Sequence, residues 1–168
     1  MKILIVYYTM YGHTLQLARA IEHGAKSVTG SSVKLRRVAE LEEVLKATAT
    51  NEAITKVRDM QAAIPTCTLD DLREADAIIF GTPTRYGNMT AQMKQLIDST
   101  AGLWLKGELE GKPAAVFTST ASTHGGQEST LLSMITPLLH LGMIIVGLPY
   151  STEGMIHVEA RGGTPYGA

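Results

Sequence analysis

The 168-residue sequence has a single cysteine, Cys67. An internal disulfide framework is therefore excluded, and a reducing compartment, the cytoplasm, is expected. Nor is there a charge excess, since 15 basic residues face 16 acidic ones for a formal charge of −1. Such a balance creates no field that would draw the chain to nucleic acid or to an anionic membrane. It also lacks the strong single-sign charge of small carriers that dock transiently on redox partners. Charged residues make up only 18% against 45% hydrophobic ones, a composition that argues against disorder. No apolar run approaches the roughly 18 residues needed to span a bilayer. The apolar opening, residues 3–8, ends in a glycine-containing turn rather than a small-residue cleavage site, and so predicts a buried first strand. One domain covering residues 1–168 is expected.

What is present is a series of short apolar runs separated by helix-length segments. Residues 14–26 place Leu17, Ala18, Ile21 and Ala25 on one helical face. Residues 33–38 alternate, as an edge strand does. Residues 77–81, 114–118 and 143–147 predict three more strands, the first two fully buried. Shorter helices are expected at residues 41–47, at 70–76 and after Asn88, with another over 127–141 kinked at Pro137. Continuous apolar strands alternating with helices describe a doubly wound α/β fold, a parallel sheet covered on both faces. Residues 149–168 are glycine-rich without a helical pattern, so a final covering helix is expected to be missing.

Three segments following strands carry the polar chemistry. The first holds Thr9, Met10, Tyr11, Gly12, His13 and Thr14 at the start of a helix, where free backbone N–H groups and hydroxyls suit a monophosphate. It is neither GxGxxG nor a loop ending in Gly-Lys-Ser/Thr. The alternative is that Thr14 caps the helix and Gly12 turns the chain. His13, at a helix start, is disfavoured as a proton donor by the dipole. The second segment, with Pro83, Thr84, Arg85, Tyr86, Gly87 and Asn88, can frame a flat ring, and Arg85 can set positive charge beside a ring that gains charge on reduction. A plain turn feeding a helix is its alternative. The third, with Ser119, Thr120, Ala121, Ser122, Thr123, His124, Gly125 and Gly126, can wrap a sugar-like chain. A hydrolase is the rival there, but the GxSxG elbow is absent.

The motifs TMYGHT, GTPTRYGNM, GLW, STASTHGGQE and RGGTPYGA together resemble the WrbA family of FMN-dependent NAD(P)H:quinone oxidoreductases, in order from Lys2 to Ala168. The resemblance implies a three-layer flavodoxin-like fold with a five-stranded parallel sheet in the order 2-1-3-4-5. It implies FMN as cofactor, with its phosphate on Thr9, Tyr11, Gly12, His13 and Thr14 and its ring held by the second and third segments and His140. It further implies that Tyr11 and Trp104 line the pocket where NADH or NADPH and a quinone bind in turn. A homotetramer whose neighbouring chains complete the site is implied as well. Two features depart from the family, namely the Ala-Ser-Thr-His form of the third segment and the missing last helix. A flavodoxin-like electron carrier without turnover of its own is the alternative function.

Other polar residues point elsewhere. His124, His140 and His157 do not fall at metal-ligand spacing, so no metal is expected. Cys67 has no CxxC partner and is expected to be a small packing residue.

Overall fold

The structure, a computed structural model, describes residues 1–156 and 163–168; His157, Arg161 and Gly162 lie outside the described residues. Strand β1 (Lys2–Tyr7) sends Ile3, Ile5 and Tyr7 to one face of the sheet and Leu4 and Val6 to the other, all buried. Both faces are thus apolar, which is why the run lacks alternation. The parallel partners are β2 (Ser32–Arg37), β3 (Ala77–Pro83), β4 (Pro113–Ser119) and β5 (Ile144–Ile145). Their order, β2-β1-β3-β4-β5, is the one the family resemblance implies.

Helix α1 (His13–Ser27) covers the Ile3, Ile5, Tyr7 and Phe117 face through Leu15 and Ala18. The opposite face packs against α4 (Leu69–Glu74), α5 (Ala91–Asp98), α6 (Ala101–Trp104) and α7 (Gln127–His140), through residues such as Leu72, Met93, Leu103 and Met134. Two helices, α2 (Glu42–Ala47) and α3 (Glu52–Met60), fill the connection from β2 toward β3. Helix α7 includes Pro137 within its span. Among the described residues no helix follows β5, and none is long and apolar enough to cross a membrane.

The expected fifth strand, residues 143–147, is shorter than its apolar run. Only Ile144 and Ile145 pair with β4 as a strand. Farther along β4, Thr118 N donates to Ala168 O (2.7 Å) and Ala168 N to Val116 O (3.3 Å), so the chain's end takes the next pairing positions.

The β2 edge is held by Asp71, which accepts from Thr68 N (3.1 Å) in a capping box on α4 and from Arg36 Nε (3.1 Å). Burial pushes its carboxyl up, but the Thr68 donors and the Arg36 guanidinium outweigh that and hold its pKa below the ordinary 3.8. A lowered folded-state pKa gives stability that is present above the unfolded value, near 3.9, and lost as pH falls through the folded one. Asp71→Asn should therefore cost about 1–2 kcal/mol at pH 7. Urea midpoints should show the same gap at pH 5 and a closing gap at pH 3; a gap that persists unchanged at pH 3 would contradict this.

Candidate functional site

The three predicted segments meet at the carboxyl edge of the sheet. Leaving β1, Thr9 Oγ1 accepts from Gly12 N (3.0 Å), and Gly12 takes a left-handed φ of 91° as the cap of α1. This settles the alternative for Thr14, which is not the cap. It sits one residue inside the helix, buried, with its hydroxyl 3.1 Å from Ser119 Oγ. The first backbone bond of α1 is Gln16 N to Gly12 O. The N–H groups of His13, Thr14 and Leu15 consequently have no acceptor among the described residues. His13 itself is exposed.

Helix α7 starts in the same way. Gly126, with φ of 89°, caps it without a side-chain acceptor, and its first backbone bond is Thr130 N to Gly126 O. By contrast α3 and α5, the other helices of eight or more residues, are capped by the side chains of Asn51 and Thr90. The two long helices whose amino ends remain open are the ones at this edge.

The second segment is a two-residue hairpin turn. Arg85 and Asn88 exchange N–H···O bonds (2.8 and 3.0 Å), while Tyr86 and Gly87 take φ of 53° and 75°, the left-handed pair such a turn demands. The turn is tied to the third segment from below: Thr84 N donates to Ser119 O (3.0 Å), and the buried Thr130 Oγ1 is shared between Thr84 Oγ1 (2.9 Å) and Gly126 O (2.7 Å). Thr130 was not singled out from the sequence, although a hydroxyl on the apolar face of α7 was a signal for it. Gln127 Nε2 gathers the carbonyls of Ser122 and Thr123 (3.2 and 2.8 Å), which turns those residues' backbone toward the helix.

Between the segments lies a cleft of about 510 Å³. The first contributes Thr9, Met10, Tyr11, His13 and Thr14, the second Pro83, Thr84 and Arg85, and the third Ser119, Thr120 and Ala121. The volume falls within the roughly 300–1,000 Å³ range of ligand sites. Open helix N–H groups with the hydroxyls of Thr9, Thr14 and Ser119 fit a phosphate, and Tyr11, Pro83 and Ala121 leave room for a ring beside it, so the donor set suits FMN.

A family model for NADPH-dependent FMN reductase matches residues 1–157. The chain belongs to the NADPH-dependent FMN reductase family. An NAD(P)H dehydrogenase (quinone) of Geotalea daltonii is 53% identical over 174 residues, which covers all of this chain and 82% of the relative. One of Aromatoleum aromaticum is 52% identical over 171 residues, covering 100% of this chain and 81% of the relative. Among solved structures, the flavodoxin, WrbA-like protein from Agrobacterium tumefaciens is similar with a TM-score of 0.61 and 27% identity, over 85% of this chain and 74% of that one. These findings agree with the WrbA-family resemblance of the loop motifs.

Not every expected residue of this NADPH-dependent FMN reductase family member reaches the cleft. Gly12, Gly87, Gly125 and Gly126 shape the backbone beneath it, while Tyr86, Asn88, Ser122 and Thr123 lie on the exposed outer side of their turns. Trp104 is exposed on α6. His140 is exposed as the last residue of α7, a helix whose 14 residues put it about 20 Å from the Gly126 end. Cys67 is buried away from the cleft, and burial pushes its thiol up to about 12, which keeps it protonated near neutrality. Among the described residues no three His, Cys, Asp or Glu side chains gather as a metal site.

Proposed function

We propose that the chain is an FMN-dependent NAD(P)H:quinone oxidoreductase that works in the three-segment cleft. The observation carrying this reading is the glycine-capped amino end of α1, with its free N–H groups, at a cleft lined by all three segments, in a chain whose family and relatives are reductases. FMN, when bound, would supply the redox chemistry that links oxidation of NAD(P)H to two-electron reduction of a quinone.

The protein's part is grip and alignment. The N–H groups of His13, Thr14 and Leu15, with the hydroxyls of Thr9, Thr14 and Ser119, hold the phosphate. Pro83, Thr84, Arg85, Thr120 and Ala121 wall the ring, and Tyr11 borders the space where the nicotinamide and the quinone enter. Aligning donor and acceptor at near-contact distance is the main lever on rate, so no acid–base pair is required.

Trp104 and His140 lie outside the cleft of their own chain, on surfaces that also expose Leu105 and Leu139. This supports a homotetramer in which neighbouring chains bring those side chains to the site. Sedimentation of the FMN-loaded protein should show a species of four times the monomer mass; monomer alone would contradict the assembly. The lone buried thiol supports a reducing compartment, the cytoplasm.

Steady-state oxidation of NADH or NADPH with benzoquinone, and no added protein, tests the enzymatic reading. Sustained turnover supports it. Full FMN occupancy without nicotinamide oxidation would favour the electron carrier instead.

A further inference from the structure

A second cavity, of about 450 Å³, opens on the β2 side of the first segment and shares Thr9 and Met10 with the cleft as a common wall. Met10, which lines both, has its Sδ 3.7 Å from Nη2 of Arg85 on the cleft side. No local motif marks this cavity, because its lining comes from the ends of β1 and β2 together with α2 and α3.

Its chemistry is specific. Arg37 and Arg58 line it, and neither belongs to any ion pair among the described residues. Arg37 spends only Nε, on Ile64 O (2.9 Å), and Arg58 bonds only to Thr48 Oγ1. Arg58 Nε is the one buried side-chain polar atom without a partner among the described residues. Two guanidinium groups lining one cavity, neither of them in an ion pair, favour an anion, and their planar fork matches phosphate.

The cavity also offers acceptors and an apolar wall. Glu40 is fixed by Tyr8 Oη (2.7 Å), Gln92 Nε2 (2.6 Å) and Leu41 N (3.0 Å), and Asp59 adds a second carboxylate. With two cations and two anions the lining is formally neutral and does not repel a dinucleotide. Val38, Leu45 and Ile54 supply the apolar side. Phosphate for the guanidiniums, hydroxyl or amino donors for the carboxylates, and a flat ring for the apolar wall together describe a nucleoside phosphate.

We propose that this cavity holds the phosphate-bearing adenosine half of the NAD(P)H co-substrate, with Arg37 and Arg58 on its phosphates, while the nicotinamide half crosses the first segment into the cleft. This rests on the reductase reading. The test uses FMN-loaded protein and compares NADPH with reduced nicotinamide mononucleotide, which lacks the adenosine half, using benzoquinone as acceptor. In Arg37→Gln and Arg58→Gln the ratio of kcat/KM for NADPH to that for the mononucleotide should fall about 10- to 100-fold. Calorimetric titration with adenosine 2′,5′-bisphosphate should show the same loss of affinity. Ala62→Trp, which fills the cavity and leaves both arginines in place, should lower both quantities as well. Unchanged ratios and unchanged bisphosphate affinity in all three variants would overturn the proposal. If the wild-type protein oxidises neither donor, the reductase reading fails by itself, and the titration still decides whether the cavity binds the nucleotide.

Discussion

Gly81→Ala should destabilise the protein by about 3 kcal/mol, at the upper end of the range for overfilled cores. Gly81 pairs in register with Phe117 on β4, and a Cβ built at Gly81 would fall among the Cζ, Cε1 and Cε2 atoms of that ring. Phe117 is fully buried in the cluster beneath α1, so it has nowhere to retreat. Against a typical total of about 5–15 kcal/mol, this is a large fraction. Removing the obstruction should show the cause, because Phe117→Leu introduced together with Gly81→Ala should cost less than the two separate changes summed. Urea denaturation of the four proteins measures this directly, and additive losses would contradict the steric account.

Gly126→Ala should open the cleft. A side chain at a φ of 89° costs about 1–2 kcal/mol in backbone strain. Its Cβ would also stand 2.9 Å from Gly87 Cα and 2.9 Å from Ser129 Oγ. Ser129 can rotate away, but Gly87 is locked in the hairpin turn, so the second and third segments must separate. That separation strains the Thr130 bridge between them. A stability loss of about 2–4 kcal/mol is expected, with FMN and riboflavin affinities both falling, since the ring walls move for either ligand while the α1 phosphate donors stay in place. Retention of wild-type affinity for both ligands would show that the contact between Gly87 and Gly126 does not set the cleft.

How much of this was legible in the sequence depended on how local each feature is. The strands β1, β3 and β4 are continuous apolar runs, and β2 alternates at the edge, so their positions followed from pattern. Helix α3 went unseen because its residues 52–60 are mostly polar, although Asn51 ahead of Ile54 and Val57 carries both the cap and the buried face. Strand β5 was overestimated because residues 143–147 are apolar for reasons other than pairing; the returning Gly167–Ala168 end occupies part of β4's edge. At the site, the segments that supply lining side chains were legible as glycine- and hydroxyl-rich loops. Contacts between distant residues were not, such as Thr14 with Ser119 and Thr84 with Thr130, nor was the meeting of Arg37 and Arg58 on the lining of one cavity. Which residue caps α1 was also hidden, since Gly12 and Thr14 both fit a helix start until the backbone geometry is known.

The placement of the FMN phosphate is tested most directly by titrating apoprotein with FMN and with riboflavin, in the wild type and in Thr14→Ala. The variant removes one hydroxyl from the phosphate end and leaves the Gly12 cap in place. Losing one charge-assisted hydrogen bond costs about 1.5–3 kcal/mol, so FMN affinity should weaken roughly 10- to 150-fold. Riboflavin, which lacks the phosphate, should bind both proteins almost equally. Equal weakening for the two ligands, or none for either, would contradict the assignment of the first segment as the phosphate site.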